Sequence, residues 1–342
     1  MIDKKDIKKN LAILFEASGT YELLRRMNRH KLLVIYYHRV VGNSEVVDKN
    51  LSGMFVREDA FEEQLRLLKR DYVPITEMQL ADYQRGGASL PDYSVLITFD
   101  DGYKDNFTRA YPLLKKYDIP WTIFVATGYI NKELLPWFDI LFMLWHSLPE
   151  LVIEGRRIGT NNHSGDAEAE YKAIFNKISQ LGASEKKIFV EKLLAENLRE
   201  PQLFENLFCS WSDFNVMGND VTVGAHTRSH PKLSGLSGKE IEQEIIPARK
   251  ELETRVGQGN ITTFAYPYGG RHDFNDETIA FLKNRGFQHA FSTCYGLNDL
   301  SLKGDGQQFF TMNRIGIDYF DNVDCFKMKI SGAWKIFDAI NA

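Results

Sequence analysis

The chain has 342 residues, 44% hydrophobic and 26% charged, with a formal net charge of −4. This is ordinary globular material with ample apolar content for a core, and the charge balance speaks against nucleic acid as a partner. The three cysteines, Cys209, Cys294 and Cys325, lie far apart with no CxxC pair, which suits a reducing compartment and inert, buried thiols.

Residues 1–30 read as an N-terminal amphipathic helical segment. Its apolar piece, residues 11–15, is too short for the core of a secretory leader and is followed by no small-residue cleavage site. No apolar run reaches the roughly 18 residues that a transmembrane segment needs. The expected location is the cytoplasm.

From residue 31 to 342, strand and helix signals alternate. Strands are expected at 31–37, 94–99, 121–126, 221–225, 261–266, 289–293 and 309–317. Helices are expected at 59–69, 77–84, 106–117, 238–256, 276–285 and from about residue 321. Such alternation predicts a parallel sheet with crossover helices, either closed as a barrel or open and doubly wound. Between residues 129 and 220 the strand signal almost disappears. That stretch opens with an aromatic run at 134–153, passes a turn-rich patch at 159–165, and continues with helical patterns at 168–181 and 184–198. It reads as a mainly helical insertion, with the aromatic run as its core rather than a membrane-interface helix or a substrate groove.

Four polar clusters each follow an apolar strand directly: His38 after KLLVIYY, Asp100-Asp101 after YSVLITF, His226-Thr-Arg-Ser-His230 after VTVGA, and Pro267-Tyr268-Gly269 after ITTFAY. In a parallel α/β fold the carboxyl ends of all strands share one face, so these clusters converge in either topology. Two histidines four residues apart can reach one ion, and Pro231 makes their connection a short turn rather than a long helix. With a carboxylate they form a facial set with open positions, as a catalytic divalent metal requires. Successive residues leaving a strand point in different directions. One aspartate can therefore ligate an ion while the other serves as a general base. Adjacent carboxylates make a poor glycosidase pair, which must flank the scissile bond about 5–9 Å apart. The competing reading of Asp-Asp-Gly is a turn that caps the helix near Asn106.

TFDDG, then HTRSH, then FAYPYG resemble, in that order, the motifs of polysaccharide deacetylases of the NodB-homology type (carbohydrate esterase family 4), and YHRV resembles their exopolysaccharide-associated branch. The resemblance runs from about His38 to Ile317, the insertion excepted. It implies a distorted (β/α) barrel that removes acetyl groups from sugars with a divalent metal, most often Zn2+, with Co2+, Ni2+, Mn2+ or Fe2+ as alternatives. It further implies Asp100 as base, Asp101, His226 and His230 as metal ligands, and the Tyr268 N–H as an oxyanion donor. The chain departs from the family pattern twice. The arginine that usually orients the base is replaced by Ala265, leaving Arg314 or Arg271 to serve. The late leucine–histidine motif has no counterpart, since no histidine follows His289. In the poly-N-acetylglucosamine branch the acid histidine stands early, in a YH element, and His38 fits that arrangement.

The function so implied is hydrolysis of N-acetyl groups on an acetylated sugar, glycolipid or polysaccharide precursor. An O-acetyl esterase or an amidase with a non-sugar substrate shares the same chemistry. A catalytically silent carbohydrate-binding scaffold is the reading from another class. The intact Asp-Asp, His-His and Pro-Tyr set argues against it.

Overall fold

A computed structural model describes residues 4–160, 165–197, 204–257, 259–300 and 306–333. The described chain forms two compact units. One takes in the residues up to Val47, Leu51–Ile130 and the chain from Phe208 onward; the other comprises Asp48–Asn50 and Asn131–Leu207.

The larger unit is built on a parallel sheet. Its strands run in the order His289–Phe291, Thr263–Ala265, Thr222–Ala225, Thr122–Val125, Ser94–Phe99, Leu33–Tyr37 and Ile315–Gly316, with Val73–Pro74 added beside Ser94–Phe99. Every residue of Ser94–Phe99 is buried, as expected of a strand covered on both faces. Full burial of a side chain such as Phe99 contributes about 1.5–3 kcal/mol. The two ends of the strand path meet at an isolated parallel bridge between Phe291 and Met312. There the Ser292 N–H donates to Met312 O at 2.8 Å, and the Met312 N–H donates to Ala290 O at 3.1 Å. The sheet thus curls into a barrel whose last seam is only a few hydrogen bonds wide.

The crossover helices follow from their apolar stripes. Glu58–Asp71 buries Phe61, Leu65 and Leu68, and Gly238–Val256 buries Ile241, Ile245, Ala248 and Leu252 at helical spacing. The second of these starts at a capping box formed by Ser237 and Glu240. The N-terminal helices are Lys4–Ala17 and Thr20–Met27. Ala12 on the first joins Cys325, Met328 and Ala333 in a buried cluster that Phe15 and Leu24 cover. Among the described residues, no helix is long and apolar enough to cross a membrane. Cys209 and Cys325 are buried as expected, whereas Cys294 is partly exposed.

Three expectations need correction. The strand expected at 309–317 is mostly not one: Gln307–Phe310 is a single 3-10 turn, Met312 makes one isolated bridge, and only Ile315–Gly316 forms a strand of the sheet. Both phenylalanines of that turn are buried, and the Tyr266 hydroxyl donates to Phe310 O at 2.8 Å, so burial there comes without strand pairing. The helix expected at 106–117 opens with a π turn, Asn106–Ala110, before Tyr111–Lys116 continues as α-helix. Pro112, which has no N–H to give, sits at that junction. The smaller unit has helices Trp137–Ser147, Gly165–Ser179 and Ala183–Asn197, but it also carries an antiparallel hairpin, Glu150–Ile153 with Arg156–Gly159. Its two-residue loop, Glu154-Gly155, has both φ angles positive (52° and 77°), as a tight hairpin turn requires. Residues 161–164 of the turn-rich patch, and residue 198 at the end of the last helical pattern, lie outside the described residues.

His289 lies at the start of its strand, paired with Glu77, whose Oε1 is 3.4 Å from the hydroxyls of Thr122 and Thr263. This buried polar cluster sits at the amino ends of the strands, away from the carboxyl-end face, in keeping with a structural role for His289.

Candidate metal and active site

The four strand-end clusters converge at the carboxyl end of the barrel. The two aspartates after Phe99 have different neighbours. Asp101 Oδ1 lies 3.6 Å from His226 Nε2 and 3.4 Å from His230 Nε2. Asp100 instead meets Arg314 through a fork, with Nη1 to Oδ1 at 2.7 Å and Nη2 to Oδ2 at 2.8 Å. The following helix opens with Asn106–Ala110. Asp105 precedes it, and its carboxylate accepts from Arg39 at 2.8 Å and from the Val40 N–H at 3.1 Å.

Asp101, His226 and His230 offer ligand atoms that all lie within 4.8 Å of one another. The donor chemistry suits a divalent ion. The His226 Nδ1 lies 2.7 Å from Ala265 O. A carbonyl only accepts, so Nδ1 carries the proton and Nε2 keeps its lone pair on the side of Asp101. Burial holds His226 below the ordinary histidine pKa, despite the nearby Asp100 charge and the Ala265 bond. His230 is held well below it by burial, aided by His226 and His38. Both rings are therefore neutral, as ligands must be. Two ligand atoms about 2.1 Å from one ion in tetrahedral directions stand about 3.4 Å apart, close to the separations seen here.

Arg314 is fully buried. Besides Asp100, its Nε donates to Ser292 O at 2.9 Å and its Nη1 to Thr98 Oγ1 at 3.2 Å, while its guanidinium lies 4.6 Å from the Tyr36 ring centroid. Burial alone would raise the Asp100 pKa. The charge of Arg314 and its two bonds to the carboxylate reverse that and bring it to about 2. Asp100 is thus an ionised, oriented carboxylate beside the His-His-Asp cluster. Arg271, the other candidate for this role, is exposed beyond Gly270.

His38 follows the Leu33–Tyr37 strand. Its Nδ1 is buried without a hydrogen-bond partner among the described residues. Burial lowers its pKa to about 4; the Asp100 charge opposes that shift, and the Arg314 charge adds to it. Tyr268 stands in a tight turn, where the Gly269 N–H donates to Pro267 O at 2.7 Å and the Thr293 N–H donates to Gly269 O at 2.9 Å. Its ring lies 5.0 Å from that of His230 and is about half exposed.

The backbone is strained where the side chains converge. Asp101, Thr227, His230 and Tyr268 have φ of 73°, 65°, 58° and 61°. For residues other than glycine such conformations cost about 1–3 kcal/mol each and persist only where surrounding contacts hold them. The site's side chains also lean on main-chain acceptors that no side-chain pattern announces, Ala265 O under His226 and Ser292 O under Arg314.

Comparison with known proteins agrees with this geometry. The family model described as polysaccharide deacetylase matches residues 87–290. A Bacillus subtilis (strain 168) protein named "Putative polysaccharide deacetylase YxkH" is 23% identical over 292 residues, 85% of this chain and 74% of that protein. The poly-beta-1,6-N-acetyl-D-glucosamine N-deacetylase of Staphylococcus aureus (strain MSSA476) is 34% identical over 116 residues, 32% of this chain and only 40% of its own length. Among solved structures, the Streptococcus pyogenes deacetylase PplD in complex with acetate is similar in fold, with a TM-score of 0.58 and 17% identity over 88% of this chain and 98% of that one. The distorted (β/α) barrel expected from the motifs is the fold these proteins share.

Proposed function

The chain belongs to the polysaccharide deacetylase family, and from that premise we propose that it is a metal-dependent hydrolase that removes N-acetyl groups from a sugar or polysaccharide precursor and releases acetate. The observation that carries this reading is the division between two adjacent carboxylates, Asp101 beside His226 and His230, and Asp100 forked onto the buried Arg314.

Asp101, His226 and His230 would hold the divalent ion, with Zn2+ the first choice for two imidazoles and a carboxylate. Such an ion supplies Lewis acidity that polarises an acetyl carbonyl and eases the ionisation of water. The remaining steps belong to the chain. Asp100 accepts the proton of the attacking water as general base, and Arg314 keeps it ionised and fixed in direction. The Tyr268 N–H donates to the oxygen that becomes negative in the tetrahedral intermediate, a contribution of about 3 kcal/mol for one well-placed donor. His38, neutral at rest, takes over the proton that Asp100 has accepted from the water and passes it to the leaving nitrogen as the C–N bond breaks. Without that proton the nitrogen is too poor a leaving group and the intermediate returns to amide. The products are acetate and a free amino sugar.

The test is acetate release from a panel of N- and O-acetylated sugars, glycolipids and polysaccharides, with metal content measured in parallel. Wild type is compared with Asp100→Asn and His38→Ala. The expected result is metal in all three proteins and acetate from N-acetylated substrates with wild type alone. Release from O-acetyl sugars alone would replace the amidase reading with an esterase. Wild type that takes up no metal would overturn the mechanism, and full activity in His38→Ala would remove that residue as the acid.

A further inference from the structure

The turn that carries the two histidines is held from outside the site. Gly238–Val256 packs its apolar stripe, Ile241, Ile245, Ala248 and Leu252, into the core. Glu244 stands on the same stripe by helical spacing, three residues after Ile241 and four before Ala248, where an apolar residue is expected. Its carboxylate meets the HTRSH turn. Oε2 accepts the N–H groups of Arg228 at 3.1 Å and Ser229 at 2.8 Å, and Oε1 accepts the Ser229 hydroxyl at 2.6 Å.

These bonds complete the turn's accounts. The His230 N–H donates to Thr227 Oγ1 at 3.0 Å, while the Thr227 and Arg228 carbonyls accept from the Thr127 and Gly128 N–H groups at 3.3 Å and 2.9 Å. With Glu244 in place, the amides of Arg228, Ser229 and His230 all have acceptors. The turn needs that support, because Thr227 and His230 are both left-handed and Thr227 is β-branched. Without the carboxylate, two amides lose their partner and the turn is free to relax toward ordinary dihedrals. The His230 ring would then move away from His226 and Asp101.

We propose that Glu244 is a positioning residue for the metal site: through three hydrogen bonds it holds the His226–His230 turn in the strained conformation that brings both imidazoles to Asp101. This inference rests on the metal-dependent reading above. It adds a carboxylate that touches neither ion nor substrate but sets how tightly the ion is held.

The experiment compares Zn2+ affinity, by chelator competition, and the Co2+ absorption spectrum in full-length wild type, Glu244→Ala, Glu244→Gln, Ser229→Ala and Glu240→Ala. Glu240 sits on the same helix in the capping box and makes no bond to the turn, so it reports general helix weakening. Loss of a partner that orients a metal ligand typically weakens affinity about 10–100-fold, and that is the expectation for Glu244→Ala, with an altered Co2+ spectrum. Glu244→Gln keeps one oxygen for the two amides and falls between Ala and wild type. Ser229→Ala removes one bond of the three and weakens binding by a smaller factor. Glu240→Ala lowers the melting temperature while leaving affinity and spectrum at wild-type values. If Glu244→Ala does not fold, Gln and Ser229→Ala carry the test, and wild-type affinity in both overturns the proposal. Equal losses in Glu240→Ala and Glu244→Ala also overturn it. Wild type that binds no metal overturns the underlying reading instead, so the two failures are distinguishable.

Discussion

Arg314→Met tests the strongest electrostatic element of the molecule. The substitution keeps an unbranched side chain but removes a guanidinium that donates to Asp100 at 2.7 and 2.8 Å, to Thr98 at 3.2 Å and to Ser292 O at 2.9 Å. Asp100 is only 2% exposed, so its charge is left without water or a partner. Breaking one side of a buried ion pair costs about 3–5 kcal/mol, and the same range applies to Asp100→Asn, which strands the fully buried Arg314. The double variant strands neither charge. Its loss should therefore fall short of the summed single losses by about 2–3 kcal/mol. Arg314→Lys should lie between wild type and Met, because an ammonium restores the charge but not the fork. The assay is urea denaturation of the metal-free proteins, followed by tryptophan fluorescence and circular dichroism. If Arg314→Met stays within about 1 kcal/mol of wild type, or if the double variant is additive within about 0.5 kcal/mol, the two side chains do not behave as a coupled buried ion pair.

Two further outcomes follow from local geometry. In Gly269→Ala, the new Cβ would stand 2.7 Å from Thr293 N and 2.8 Å from Thr293 Cγ2, at a φ of +71°. The Tyr268 turn must shift, and turnover should fall about 100-fold while Zn2+ affinity holds; unchanged turnover would remove the Tyr268 amide from the mechanism. Asp213 accepts from the Ser210 N–H at 2.6 Å, the Ser210 hydroxyl at 2.8 Å and the Lys104 ammonium at 2.7 Å. Burial pushes its pKa up, but these donors prevail and hold it below the ordinary carboxylate value. Its stabilising effect is therefore full above the unfolded-state value of about 3.9 and fades as pH falls through the lower folded-state value. Asp213→Asn should cost about 1–2 kcal/mol at pH 7 and progressively less below about pH 4. A difference from wild type that stays constant down to about pH 2 would contradict this assignment.

What the sequence made legible is what depends on strand direction and spacing. The polar clusters that begin at His38, Asp100, His226 and Pro267, each directly after a strand, had to share the carboxyl-end face, because parallel strands leave no alternative. Harder to read was whatever closes the ring. Arg314 reaches Asp100 only because the barrel seam brings Met312 beside Phe291, and a two-residue strand, Ile315–Gly316, carries too little pattern to announce it. The same seam explains the misplaced strand at 309–317, where Phe309 and Phe310 are buried by a turn. The Glu150–Gly159 hairpin was masked by the apolar run before it, though Glu154-Gly155 was a visible turn signal. Glu244 left a readable trace as a charge in an apolar stripe, but its target was hidden because that target is main-chain N–H.

The strained residues mark the physical limit of such reading. Turn chemistry predicts glycine or asparagine where φ is positive. Gly102 and Gly269 obey that rule at 85° and 71°, yet Asp101, Thr227, His230 and Tyr268 take positive φ beside them without the freedom of glycine. Three of these are proposed here to act through a carboxylate, an imidazole or a placed amide. At His230 and Asp101 a glycine would relieve the backbone and delete the ligand. Local propensity and site chemistry therefore compete at the same residue, and chemistry prevails only where bonds from elsewhere hold the backbone, as the Thr127 N–H does for the Thr227 carbonyl and Thr293 for the carbonyls of Tyr268 and Gly269. A strand-to-loop junction with positive φ at a non-glycine residue and a full set of long-range hydrogen bonds is thus a physical signature of the site in its own right, independent of the side chains it presents.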